Sequence, residues 1–224
     1  MREPRLIIFD FDGVLADTED LHFAAFAALL RREGIALTRD EYYGRYLGIP
    51  DTECIRAAME HGGRKLNDGE IEELLETKRR EYAALLPEAR LYPGAVDVLR
   101  ALRRNHLLAV ASGAFRIEIE TILAQADALG LFQTVVAAED VRRGKPSPDP
   151  FLCALERVNR ARGEALRADE CLVIEDAPHG IAAARAAGMP CIAVSTNQPR
   201  ASLAAADRII GGIVELVGED GSLR

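Results

Sequence analysis

Apolar positions in this chain follow two rhythms. One is the short unbroken run: Leu6-Ile7-Ile8-Phe9, Leu107 to Ala111, Thr134 to Ala138, Leu172-Val173-Ile174 and Cys191 to Val194. Runs of this length, apolar at every position but Thr134, predict strands buried on both faces of a sheet. The other rhythm is helical, over 95–104, 115–126, 149–162 and 178–187, and each such segment lies between two runs. Strands alternating with helices predict βαβ units and a mostly parallel sheet, hence an α/β fold. The runs end in small polar or acidic residues: Asp10-Phe11-Asp12-Gly13, Ser112-Gly113, Glu139-Asp140, Glu175-Asp176 and Ser195-Thr196. In open parallel sheets, ligands bind outside the carboxyl ends of the strands.

Residues 17–88 break the alternation. They predict helices over 19–33, 39–46, 51–61 and 68–86, with turns at Gly34, Gly48-Ile49-Pro50 and Gly62-Gly63. An all-helical block between the first strand and the next βα unit reads as an insertion. Leu91-Tyr92-Pro93-Gly94 marks the return, with Pro93 opening the following helix. The expected domains are therefore a core of 1–16 and 89–224 and a helical insert of 17–88. The polar tail from Gly218 is expected to fray.

Composition narrows the function classes. The chain has 224 residues, of which 49% are hydrophobic and 29% charged, enough apolar content for a real core. A net charge of −8 argues against a broad phosphate-backbone face, so no nucleic-acid partner is expected. Residues 17–90 hold 16 acidic and 11 basic side chains, so neither part of the chain is basic. Only Lys65, Lys78 and Lys145 are lysines; the other cations are arginines, which marks each lysine for scrutiny. Cys54, Cys153, Cys171 and Cys191 form no CxxC pair and read as reduced thiols. The first apolar run is too short for a signal peptide, and no stretch approaches the roughly 18 apolar residues of a membrane span. The expectation is a soluble cytoplasmic protein with no membrane partner, monomeric or weakly dimeric.

Candidate chemistry sits at the strand ends. Asp10 and Asp12 flank one residue, and in extended chain positions i and i+2 face the same way. Two close carboxylates need a cation or a proton between them. A hard cation such as Mg²⁺ would serve; a nucleophile beside an acid/base is the other role the pair permits. Ser112-Gly113 offers a hydroxyl and unhindered backbone N–H groups suited to a phosphate oxygen, although Ser112 alone also reads as a helix cap. Lys145 lies in Gly144-Lys145-Pro146-Ser147-Pro148-Asp149-Pro150, where the prolines stiffen the loop and direct the cation. Glu175-Asp176 ends a further strand and, with Asp10 and Asp12, gives four acidic side chains that a parallel sheet can gather.

In order and spacing these motifs resemble those of the haloacid dehalogenase superfamily: Phe9-Asp10-Phe11-Asp12-Gly13-Val14-Leu15-Ala16-Asp17-Thr18, then Ser112, Lys145 and Glu175-Asp176. The likeness spans essentially the whole chain. It is closest to the phosphohydrolase branch with a small helical cap, which includes β-phosphoglucomutase and sugar-phosphate phosphatases. The resemblance implies a Rossmann-like core with an inserted helical cap. It implies that Asp10 attacks phosphorus and forms an aspartyl-phosphate, with Asp12 as general acid and then base. It further implies Mg²⁺ held by Asp10, Asp176 and the backbone carbonyl of Asp12, with Glu175 a ligand directly or through water, and with Ser112, Gly113 and Lys145 on the phosphoryl group. Dehalogenating members lack the second aspartate.

The cap adds three candidates for substrate contact. His22 matches a mutase position that couples the cap to the acid/base aspartate, and equally fits a plain amphipathic-helix histidine. Lys78 matches a cap lysine, or is one charge of Lys78-Arg79-Arg80. Asp51 stands where the mutase carries an arginine for a second phosphate, which an aspartate would repel. The implied activity is Mg²⁺-dependent hydrolysis of a small phosphorylated metabolite, a sugar phosphate. The alternatives are a β-phosphoglucomutase-like phosphotransferase, a 2-haloacid dehalogenase and a non-catalytic binding protein. His61, His106 and His179 lack metal-ligand spacing and are assigned no chemistry.

Overall fold

The computed structural model describes residues 3–224. The strands are β1 (Leu6–Phe9), β2 (Ala16–Asp17), β3 (Arg90–Leu91), β4 (Leu107–Ala111), β5 (Thr134–Val136), β6 (Cys171–Glu175), β7 (Cys191–Val194) and β8 (Arg208–Ile210). The helices are α1 (Glu19–Arg32), α2 (Arg39–Arg45), α3 (Asp51–His61), α4 (Asp68–Leu85), α5 (Ala95–Leu102), α6 (Arg116–Gln125), α7 (Asp149–Arg162) and α8 (Pro178–Ala186). The chain divides into two compact units. One is the segment ending at Asp17 with Arg90–Arg224, and the other is Thr18–Ala89.

The first unit is built on a six-stranded sheet of order β5-β4-β1-β6-β7-β8, with every ladder parallel. From β1 the chain builds outward through β4 and β5, then returns to add β6, β7 and β8 on the other side. The topological switch therefore lies between β1 and β6, the place where such sheets bind ligands. β1 is central and fully buried, which is why its sequence is an unbroken apolar run. Leu6 and Ile8 share one face with Ala109, Ala111, Val173 and Ala193, packed by Phe151, Ala154 and Val158 of α7 and Ile181 and Ala184 of α8. By the two-residue period, Ile7, Phe9, Leu108, Val110 and Ile174 line the opposite face, and all five are buried.

The helical unit has its own core of Phe26, Leu29, Leu30, Tyr42, Ile55, Met59, Ile71 and Leu75. Capping boxes start two of its helices. Thr38 exchanges hydrogen bonds with Glu41 at α2, and Asn67 does so with Glu70 at α4.

Several sequence expectations shift. The strand expected over 134–138 stops at Val136 because the Asp140 carboxylate accepts from the Ala137 N–H at 2.8 Å and curls the chain into a short 3₁₀ turn. β8, three residues at the sheet edge, carries too little pattern to be foreseen. So does the antiparallel pair of Ala16 with Leu91 and Asp17 with Arg90. That ladder belongs to the sheet-bearing unit, so the chain passes between units one residue later at each end than the sequence boundaries. The tail does not fray as expected: Val217 pairs with Leu223, and the Arg224 N–H donates to the Leu216 carbonyl at 2.9 Å. No helix of the described residues is long and apolar enough to cross a membrane. All four cysteines are free.

Candidate active site

The register of the sheet decides what meets at its carboxyl edge. Phe9 pairs with Val110 on one side and Ile174 on the other. Asp10 therefore follows β1 at the level where β6 ends in Glu175, and its N–H still bonds to the Ile174 carbonyl at 2.8 Å. Beyond it residues 11–16 curl tightly, with the Leu15 and Ala16 N–H groups both donating to the Phe11 carbonyl, at 2.9 and 3.0 Å. Gly13 permits the curl at φ +74°; a Cβ there would lie 1.9 Å from Asp176 Oδ2. The carboxylate thus occupies the space that only glycine leaves. Gly180 does the same for Glu175, since its Cβ would fall 1.8 Å from that carboxylate.

Asp10, Glu175 and Asp176 each offer an oxygen within 4.8 Å of the others, and all three are buried. Lys145 joins them: its Nζ donates to Asp10 Oδ1 and to Glu175 Oε1, both at 2.6 Å, and lies 5.1 Å over the Phe151 ring. The second Glu175 oxygen accepts from the Asp176 and Ala177 N–H groups at 2.9 and 3.1 Å. The loop bearing Lys145 is held from outside, because Arg143 grips Asp149 with two hydrogen bonds of 3.0 Å and Ser147 Oγ donates to the same carboxylate. Asp149 gave no separate signal in the sequence.

Three carboxylates around one ammonium leave an excess of negative charge in a buried place. Burial holds the Glu175 carboxyl above the usual range, against the pull of Lys145. Burial raises Asp176 well above its range, with the Glu175 and Asp10 charges adding to it. Burial works against the Lys145 ammonium too, but the Asp10 and Glu175 charges prevail and raise its pKa. Such a set is under-neutralised without a further cation. All its donors are hard carboxylate oxygens and none is sulfur or imidazole, which fits a hard divalent ion. The Asp12 carboxylate is not one of the three. It is half-buried at the start of the curl, near enough for its charge to help raise Asp176.

Ser112 ends β4 nearly buried; its N–H donates to the Val136 carbonyl at 3.0 Å, and its Oγ accepts from the Ala114 N–H at 3.1 Å. The hydroxyl proton is left to be directed elsewhere. Gly113 is exposed, and a Cβ there would meet nothing within 4 Å, so the fold does not require glycine at that position.

The three insert candidates form one cluster inside the helical unit. Lys78 is not an exposed member of a charged run. It is 2% exposed, with Nζ 2.7 Å from Asp51 Oδ2, 2.8 Å from His22 Nδ1, and about 5 Å from the Phe26 and Tyr82 rings. The periodicity of α4 places residue 78 on the same face as Ile71 and Leu75, a signal that the neighbouring Arg79-Arg80 masked. An ammonium has only donors, so His22 Nδ1 accepts and the ring proton sits on Nε2. Burial, then Lys78, pushes His22 down to about 3, and the ring is neutral. It stacks on Tyr82 at 4.3 Å. Asp51 is therefore not an isolated negative charge facing substrate, because Lys78 compensates it. Arg56, also on α3, bonds to Asp68 and not to Asp51. A half-buried carboxyl, Glu19, accepts from Tyr42 Oη at 2.6 Å; burial raises its pKa, and Tyr42 and Lys78 oppose this. His106 is buried against the Pro4 carbonyl, away from the strand tips.

A family model described as "Haloacid dehalogenase-like hydrolase" matches residues 7–194. The chain is 31% identical over 215 residues to validoxylamine A 7'-phosphate phosphatase of Streptomyces hygroscopicus subsp. limoneus, covering 95% of each chain. It is 31% identical over 201 residues to β-phosphoglucomutase of Bacillus subtilis, covering 87% of this chain and 85% of that one. Among solved structures it superposes on CbbY of Rhodobacter sphaeroides in complex with phosphate. The TM-score is 0.81 at 28% identity, over 97% of this chain and 98% of that one.

Proposed function

Because the chain belongs to the haloacid dehalogenase-like hydrolases and is a phosphohydrolase among them, we propose that it hydrolyses a small phosphomonoester, a sugar phosphate, with Mg²⁺ and through an aspartyl-phosphate on Asp10. The observation that carries this reading is the convergence of Asp10, Glu175, Asp176 and Lys145 at one carboxyl edge. Asp10, Glu175 and Asp176, with the backbone carbonyl of Asp12, would hold the ion. When bound it supplies positive charge to the transferring phosphoryl group and to the crowded carboxylates.

The chain's own residues then have separable tasks. Asp10 presents one oxygen in line with the phosphorus–oxygen ester bond. As the phosphorus–Asp10 bond forms and the ester bond breaks, Asp12 gives its proton to the leaving oxygen. Asp12 next takes a proton from water, which attacks phosphorus and restores Asp10. Lys145, raised and fully protonated, and the Ser112 hydroxyl with the Gly113 N–H hold the non-bridging oxygens. Phosphoryl transfer depends mainly on such positioning and charge neutralisation. We assign recognition of the leaving group to His22, Lys78 and Asp51.

A phosphotransferase like β-phosphoglucomutase is the second reading. It draws on the Lys78–His22 pair, which matches the mutase pattern. Against it stands Asp51, which already occupies Lys78 and leaves the cluster little net charge for a second phosphate. A panel of phosphorylated metabolites, assayed with and without Mg²⁺, tests both. Strong Mg²⁺-dependent release of phosphate from one sugar phosphate supports hydrolysis. Interconversion of hexose 1- and 6-phosphates that needs a bisphosphate primer supports the mutase. No turnover of any substrate overturns both.

A further inference from the structure

The loop after β7 brings a side chain to the carboxylate cluster that no motif marks. β7 lies beside β6, with Ile174 level with Ile192 and Glu175 with Ala193, so the chain leaving Val194 runs out at the same edge. A Cβ built on Gly13 would lie 1.9 Å from Asp176 Oδ2 and 3.0 Å from Asn197 Nδ2. Carboxylate and amide therefore flank one face of one glycine, separated by no more than those two distances together.

Neither group has a hydrogen-bond partner among the described residues. The Asp176 carboxylate, in a residue 8% exposed, accepts no hydrogen bond from any described residue. The half-buried Asn197 amide makes none either. An ionised carboxylate only accepts and an amide nitrogen carries two donors, so the pair is complementary. Carboxylates that ligate metals are generally oriented by an outer hydrogen bond.

We propose that Asn197 is a positioning residue for Asp176. Its Nδ2 donates to the outer Asp176 oxygen once that carboxylate is ionised against a cation, and so fixes which oxygen faces the ion. The inference rests on reading Asp176 as a metal ligand. Asn197 touches neither substrate nor ion; it acts through Asp176.

The test is Mg²⁺ binding to the substrate-free protein, measured by calorimetry on the parent, Asn197→Ala, Asn197→Leu and Asp176→Asn. Urea unfolding in the absence of Mg²⁺ is measured alongside. The expected result for both Asn197 variants is Mg²⁺ affinity weakened 10- to 100-fold. Their metal-free unfolding midpoints stay at the parent value, and kcat largely recovers at saturating Mg²⁺. Affinity within twofold of the parent in both variants, with Asp176→Asn clearly weakened, overturns the role of Asn197 and leaves the metal reading intact. Unchanged affinity in Asp176→Asn as well overturns the reading of Asp176 itself. A drop in metal-free stability equal to the drop in binding makes Asn197 structural and also overturns the inference.

Discussion

Replacing Lys145 with Met keeps most of the aliphatic stem and removes the charge that lies between Asp10 and Glu175 and over the Phe151 ring. The ammonium is 2.6 Å from both carboxylates, and the Glu175 side chain is only 1% exposed. Stripping one partner from a buried ion pair costs about 3–5 kcal/mol if the remaining charge stays. Here the charge has an escape, because a carboxyl can take up a proton, and this caps the penalty. A Glu held protonated in the folded state, against an ordinary value of 4.5, costs about 1.4 kcal/mol per pH unit above that value, hence about 3 kcal/mol at pH 7. The sign follows from proton counting: the folded variant binds the proton that the unfolded chain has released, so its stability falls as pH rises. Urea unfolding in EDTA is expected to show Lys145→Met destabilised by about 2–3 kcal/mol at pH 7 and by under about 1 kcal/mol at pH 5. Phosphatase activity should fall at least about 100-fold at every pH. A destabilisation equal at pH 5 and pH 7, or larger at pH 5, would refute the electrostatic account and assign the effect to packing.

Three further outcomes are expected. Asp10→Asn and Asp12→Asn should each lower kcat about 1000-fold or more with little change in unfolding midpoint; near-normal turnover in either removes the mechanism. Gly13→Ala must adopt φ +74° with a methyl where Asp176 Oδ2 now lies. It should cost about 1–2 kcal/mol in backbone strain and weaken Mg²⁺ binding in calorimetry; an unaltered isotherm contradicts the packing. His22, depressed to about 3 from 6.5, remains neutral in the folded protein while the unfolded chain protonates it below 6.5, so its contribution is lost as pH falls. From pH 7.5 to pH 5 that is at most about 2 kcal/mol, less for a ring that keeps some solvent, and His22→Gln should lose correspondingly less stability over that range. Identical pH slopes for the two proteins would show that the ring is not held neutral.

Legibility tracked the length of the periodic signal. β1 is an unbroken buried run and α7 a 14-residue amphipath, and both were visible within a residue or two. β2, β3 and β8 hold two or three residues each, too few to show any period, and they arise from pairing across the chain. At the site, Asp10, Glu175 and Asp176 were visible because each ends a strand, and the parallel register then gathers them. Lys78 was misleading because two exposed arginines follow it, while its own position is set by the face of α4. Asp149 and Asn197 were hidden because their value comes from what lies beside them in space: Arg143 and Ser147 in one case, Gly13 and Asp176 in the other. Sequence alone presents Asp51 as a repulsive charge, because the Lys78 that compensates it lies 27 residues further along the chain.

The central claim is that Asp10 becomes phosphorylated during turnover. The direct measurement is to mix Asp12→Asn, slowed in the water step, with Mg²⁺ and a phosphomonoester that the wild-type enzyme hydrolyses. The reaction is then quenched in acid and the peptides are weighed. One phosphoryl group should add its mass to the peptide carrying Asp10, be lost on mild base treatment and be missing when Asp10 is also Asn. A substrate that is consumed while that peptide never gains the phosphoryl mass would contradict it.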